Sequence, residues 1–200
     1  MELAQAATRR RMVRAFTGDP VPADVLEGIL AVACSAPSAG NTGGWDVVVL
    51  VGGGETARFW EATTTEDWRA RSRRWAGLSR APVVVALFVA PGAYLERYRE
   101  PDKSGSGLGD PGTWPVPYWF VDGGFAALLL LLAAADAGLG ACFLGNFRGE
   151  EALRAALGVP PDRRYLGAVL LGRGADDDPP SASLRRGRRR PEEVVHRGRW

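Results

Sequence analysis

The sequence predicts one α+β domain with a small mixed sheet, and three observations carry that prediction. Four short runs rich in apolar and β-branched residues read as strands: Trp45 to Val51, Pro82 to Ala90, Ala141 to Asn146 and Tyr165 to Leu171. Segments with helical spacing separate them. The 200 residues are 46% hydrophobic and 24% charged, enough for one ordinary core over residues 1–200, with no linker or internal repeat in view.

Taken in order, Glu2 to Thr8 predicts a short helix, followed by the basic turn Arg9 to Arg14. Pro22 suits the first turn of a second helix, in which Val25, Leu26, Ile29, Leu30 and Ala33 share one face. The small and turn-forming residues Ala36-Pro37-Ser38-Ala39-Gly40-Asn41 end it. Trp45 to Val51 is continuously apolar, as in a strand buried on both faces. Gly52-Gly53-Gly54 turns the chain into a polar, Arg-rich helix from Glu55 to about Arg80. A second buried strand, Pro82 to Ala90, leads to one or two helical turns over Tyr94 to Glu100. Asp102 to Pro117 is rich in Gly and Pro, so the stretch 100–117 is expected to be a loop covering a site. Asp122 is a candidate cap for the apolar helix Phe125 to Ala135, which Gly138 and Gly140 close. A third strand, the helix Glu150 to Leu157 and a fourth strand follow, then an Arg-rich tail with seven arginines in its last 16 residues.

Composition excludes several function classes. The net charge is only +2, so no polyelectrolyte partner is implied, although Lys103 is the only lysine and every other cation is arginine. Glu192, Glu193 and Asp176 to Asp178 interrupt the basic tail, and no nucleic-acid motif accompanies it. Cys34 and Cys142 form no CxxC pair and read as small buried residues, so neither zinc nor a disulfide framework is indicated. The single histidine, His196, lies in the tail, which argues against His-rich metal sites and a Ser-His-Asp triad. No signal peptide is visible, and the run Phe125 to Ala135 falls short of the ~20 residues of a membrane span. A cytoplasmic protein whose chemistry belongs to a cofactor is expected.

Gly52, Gly54 and Ala57 satisfy GxGxx[G/A] after a strand, but the next strand ends Phe88-Val89-Ala90-Pro91 without the acid that a dinucleotide site needs. A plain strand-to-helix turn is the better reading. Arg10, Arg11 and Arg14 can form a permanently charged fork for a phosphate dianion, or merely a solvated basic turn. In the segment from Pro37 to Asn41, Pro fixes the backbone, Ser offers a hydroxyl, Gly permits close approach and Asn can pair with a polar ring edge.

Together these pieces are more specific. Arg10-Arg11-x-x-Arg14-x-Phe16, Pro20-Val21, an amphipathic helix, Ala-Pro-Ser-x-x-Asn and Trp45 before a valine-rich strand resemble the nitroreductase-like flavoprotein family. Tyr118-Trp119-x-x-Asp122, the apolar helix, Gly138-Leu139-Gly140, Leu153 to Val159, Leu170-Leu171-Gly172 and Arg185 to Arg190 extend the resemblance over essentially the whole chain.

That resemblance implies a nitroreductase-like fold, with a central mixed, mainly antiparallel sheet flanked by helices, in an intertwined homodimer binding FMN at the subunit interface. By analogy Arg10, Arg11 and Arg14 meet the FMN phosphate and ribityl chain, and Pro37, Ser38 and Asn41 line the isoalloxazine ring. The backbone of Leu144 and Gly145 approaches the ring, and one of Arg186, Arg188 and Arg189 returns to the phosphate. Tyr94, Tyr98 and Trp114 are candidate substrate contacts under the cover loop. No side chain is then a catalytic residue, because FMN takes hydride at N5 and passes electrons from NAD(P)H to a small electron-poor acceptor in a ping-pong cycle. Departures from the family pattern are Met12 in place of a serine and Gly43-Gly44 in place of Gln-Pro. A flavin-storing protein and a reduced-flavin-cleaving enzyme are the alternatives.

Overall fold

The computed structural model describes residues 1–145, 148–178 and 180–200. Its centre is a four-stranded sheet in the order β1-β2-β4-β3, formed by β1 (Trp45–Val51), β2 (Val83–Val89), β3 (Gly140–Leu144) and β4 (Arg164–Gly172). All three pairings are antiparallel, Trp45 opposing Val89, Val83 opposing Leu171, and Gly140 opposing Gly172. A single parallel bridge, Met12 to Ala141, makes the arrangement mixed at the β3 edge. The antiparallel turn from β1 to β2 also removes the Gly52–Ala57 segment from consideration as a dinucleotide fingerprint, since that motif belongs to a parallel βαβ unit.

Each face of the sheet carries its own core. On one face Leu50, Val84, Ala86, Phe88, Leu170 and Cys142 pack with α3 (Gly53–Thr63), α5 (Trp75–Leu78) and α8 (Glu150–Leu157). On the other, Val83, Val85, Leu87, Val169 and Leu171 pack with α2 (Ala23–Ala33) and α7 (Tyr118–Asp136). The central strand β2 is buried along its whole length. By contrast β1 is half-buried, because it is an edge strand and lacks a neighbour on one side, so the expectation of burial on both faces holds for β2 and not for β1.

Two helical expectations change. The polar segment after β1 forms α3, α4 (Glu66–Arg71) and α5 instead of one long helix. Thr65 caps α4 by accepting from the Trp68 N–H, and Ser72 leaves the helical region, so hydroxyl side chains break the run. The apolar helix is longer than its hydrophobic run, starting at Tyr118 directly after Pro117. With 19 residues it has the length and composition of a membrane-crossing helix. Here its inner residues Ala126, Leu130 and Ala134 are fully buried in the core, while Phe125 and Leu128 remain on an exposed outer face. Its capping also differs. Asp122 lies inside α7 and is buried, because helix formation begins four residues earlier. Gly138, at φ +73°, ends the helix as expected. Of the third-strand expectation, Asn146 lies outside the described residues; β3 itself ends at Leu144.

Candidate functional site

The basic segment is held as an added extended strand. The Val13 N–H donates to the Ala141 carbonyl at 2.9 Å, and Phe16 bridges Gly174, reinforced by Thr17 N–H to Arg173 O and Ala175 N–H to Ala15 O. Met12 stands between Arg11 and Arg14, and its sulfur accepts from the Phe143 N–H at 3.4 Å. An extended chain advances ~3.3 Å per residue, so Arg11 and Arg14 lie about 10 Å apart. The three arginines therefore divide between two cavities.

Arg10 and Arg11, joined by Arg9 and Arg173, line a cavity of about 420 Å³ beside Gly140 and Ala141. Arg10 Nη1 is buried and donates to no acceptor among the described residues. A buried cationic donor left unpaired is costly, and an anionic oxygen in this cavity would satisfy it. Arg14 lines a second cavity of about 330 Å³ with Arg73, Arg74, Arg80, Asp177 and Asp178. Its backbone N–H donates to the Asp178 carboxylate, and its Nη1 donates to the Met12 carbonyl at 3.1 Å. Burial pushes the Cys142 thiol up, with Arg14 opposing, Asp178 reinforcing and Arg74 opposing that shift.

At the far end of β3, Leu144 and Gly145 line a third cavity, of about 540 Å³, whose walls include Trp60, Trp68 and Leu78. Trp60, Trp75 and Trp68 stack edge to face behind it. Five residues of extended chain separate Gly140 from Gly145, about 17 Å. One edge strand thus carries a cationic cavity at its start and an aromatic, apolar one at its end.

The segment Pro37 to Asn41 stands at the same end of the sheet but at the opposite edge, leading into β1. Three strand spacings separate these edges, about 14 Å. The segment is rigidly built. The Ala39 N–H donates to Asp122 Oδ2 at 2.8 Å, the Gly43 N–H to Ser38 Oγ at 2.8 Å, and Arg97 Nε to the Gly40 carbonyl at 2.9 Å. Asn41 has φ +53°, a left-handed conformation uncommon outside glycine, and its side chain is exposed, as is Pro37.

Residues 100–117 fold as compact 3-10 turns anchored by Trp114. The Trp114 ring meets Tyr98 at 4.9 Å, Tyr118 at 5.8 Å, Trp119 at 5.9 Å and Tyr94 at 6.1 Å, and its indole N–H donates to the Leu108 carbonyl. Tyr98 and Trp114 are half-buried, whereas Tyr94 is fully buried, with its hydroxyl donating to Asp122 Oδ2 at 2.8 Å. Burial and that carboxylate both push the Tyr94 phenol up. Arg97 fastens the start of the loop through a bidentate pair with Asp102.

Arg186, Arg188 and Arg189 are exposed and line neither arginine cavity. Among the described residues the tail's hydrogen bonds run within itself, Arg189 Nη2 donating to the Glu193 carbonyl and the Arg190 N–H to the Glu193 carboxylate. Cys142 is buried as expected, but Cys34 is exposed just after α2, where the helix ends at the surface. Sequence reasoning missed Asp122 and Arg97 as organisers of the Pro37–Asn41 segment. The two partners of each bond lie far apart in sequence, and the sequence offered Asp122 only as a helix cap.

The Nitroreductase family model matches residues 7–173. A Thermus thermophilus protein named NADH dehydrogenase is 30% identical over 204 residues, covering 92% of each chain. A Rhodospirillum rubrum protein named 5,6-dimethylbenzimidazole synthase is 30% identical over 205 residues, covering 94% of this chain and 90% of its own. Among solved structures, a Desulfovibrio desulfuricans protein in complex with FMN superposes with a TM-score of 0.68 at 22% identity, over 98% of this chain and 95% of that one.

Proposed function

The chain belongs to the nitroreductase family, and from that premise we propose that it is an FMN-dependent oxidoreductase acting as a cytoplasmic homodimer. The observation that carries this reading is the pair of cavities flanking β3, cationic at Gly140 and apolar-aromatic at Leu144–Gly145, with the unpaired Arg10 Nη1 in the first. The first opens on the α7 side and the second on the α3 and α5 side, so a flavin mononucleotide reaching both passes around the outer edge of β3, phosphate at one end and ring at the other.

In this reading Arg10 and Arg11 hold the phosphate, and Arg14, which lines the neighbouring cavity, offers its positive charge to the ribityl chain and the polar edge of the ring. Leu144 and Gly145 supply the wall and backbone at the ring end. Pro37, Ser38 and Asn41 come from a second copy, since about 14 Å of sheet divides them from Leu144 within one chain. The same second copy covers Phe125 and Leu128 on the outer face of α7, and its tail brings one of Arg186, Arg188 and Arg189 to the phosphate. Residues 1–200 form the single flavin-binding domain, with 100–117 as cover. Tyr98 and Trp114 face the acceptor, supported from below by Tyr94.

When bound, FMN supplies hydride uptake from NAD(P)H and onward transfer to a nitro, quinone or related electron-poor small molecule by a ping-pong cycle. The protein's own part is electrostatic and geometric: Arg14 stabilises negative charge that develops near it, and the cover excludes water from the ring face. The name of the Thermus relative supports the nicotinamide donor. The Rhodospirillum relative's name favours a second reading, a synthase of this same family making a benzimidazole. Anaerobic mixing with NADPH or NADH tests the choice. Rapid bleaching of the flavin absorbance supports the oxidoreductase, and no bleaching with either donor refutes it.

A further inference from the structure

Asp122 is the buried carboxylate of the structure's described residues, 1% exposed and set within an otherwise apolar stretch of α7. An apolar residue of similar size would fill such a position without the cost of burying a charge. What the carboxylate does is join three elements. Its Oδ2 takes the Ala39 N–H from the segment before β1 and the Tyr94 hydroxyl from α6 (Pro91–Arg97), each at 2.8 Å. Arg97, on that same α6, grips the next carbonyl, Gly40 O, at 2.9 Å. Gly40 also rests on the Tyr98 ring so closely that a Cβ there would stand 2.9 Å from Cε2. The Ala39–Gly40 stretch is therefore fixed at an N–H, at a C=O and on one face. Immediately after it Asn41 is held at φ +53° with its side chain exposed.

We infer that Asp122 is a positioning residue for the ring-binding segment: through the Ala39 N–H it sets where Ser38 and Asn41 stand and so how the flavin ring is gripped. This rests on the assignment of residues 37–41 to the ring in the preceding subsection. The carboxylate touches neither flavin nor acceptor. Its effect passes through one backbone hydrogen bond, and charge makes that bond about twice as strong as a neutral one. Arg97 completes the clamp from the other side and, through Asp102, joins it to the start of the cover loop.

The test compares Asp122→Asn and Asp122→Leu with the core variant Val85→Ala, whose side chain is buried in the sheet. Three readouts are taken at a temperature where circular dichroism shows each variant folded: amide exchange at Ala39, the Kd for added FMN, and the midpoint potential of bound flavin. Asp122→Asn keeps an acceptor of the same shape, so exchange at Ala39 should quicken and FMN affinity fall by roughly tenfold. Asp122→Leu should weaken FMN by roughly a hundredfold, and the flavin potential should shift in both variants. Val85→Ala should lower the melting temperature with Kd and potential unchanged. Asp122→Leu that folds and keeps wild-type Kd and potential overturns the positioning role alone. If Asp122→Leu does not fold, Asp122→Asn decides: a wild-type Kd and potential overturn the role, whether or not exchange at Ala39 has quickened. Wild-type protein that takes up no FMN overturns the ring assignment, and this role with it.

Discussion

Replacing Arg10 by Met should make the flavin-free protein more stable and its flavin weaker, two effects of opposite sign from one side chain. Arg10 Nη1 is buried without an acceptor among the described residues. Leaving a buried donor unpaired costs about 1–3 kcal/mol, and Met keeps an unbranched apolar stem without the guanidinium. Removing the guanidinium should therefore raise apo stability by about 1 kcal/mol, which for a chain of this size raises Tm by about 2–4 °C. The same guanidinium makes a charge-assisted bond to the proposed phosphate, worth about 1.5–3 kcal/mol, so Kd for FMN should rise roughly 10- to 150-fold. Thermal unfolding of stripped protein gives the first quantity and quenching of flavin fluorescence the second. A fall in apo Tm would mean that Arg10 has a structural partner, and an unchanged Kd would remove it from the phosphate site.

Further expectations concern the fold and its pH response. Leu130→Ala, in the fully buried centre of α7, should cost about 2–5 kcal/mol by denaturant titration. Gly44→Ala would put a Cβ 2.3 Å from the Tyr94 ring and should cost about 1–3 kcal/mol through displacement of that ring; an unchanged midpoint would show that Tyr94 is free to move. Burial works to raise the Glu150 carboxyl, but the Tyr165 N–H and Arg164 outweigh it and hold it below its usual 4.5. A lowered folded-state value means stability present above pH 4.5 and lost as pH falls through that lower value, so Glu150→Gln should flatten part of the acid limb of the stability curve. Phe125→Asp, on the exposed outer face of α7, should give monomers by light scattering at micromolar concentration, and a retained dimer would place the interface elsewhere.

The strands were legible because their signal is local. Trp45–Val51 and Glu150–Leu157 fall where apolar runs and helical spacing put them, and β2 and β4 differ by a residue at the ends. What one strand's composition does not show is its place in the sheet, so the exposure of edge strand β1 appeared only with the order β1-β2-β4-β3. The break of the Arg-rich helix turns on Thr65 and Ser72, whose hydroxyls take local backbone partners, a signal that a reading by polarity and charge passes over. The arginine motif lies on an extended backbone, which separates Arg14 from Arg10 and Arg11, a division its spacing did not reveal. Asp122 was legible only as a helix cap, not as a residue inside α7 linked to Ala39, 83 positions away. Long-range hydrogen bonds of that kind leave no periodicity to read.

The most direct test of FMN binding along β3 is the visible spectrum of freshly purified protein, with the acid-released chromophore identified by chromatography. The account predicts a yellow protein carrying FMN near one per chain. A colourless protein that fails to take up added FMN would contradict it, leaving the family fold without the cofactor or the reaction.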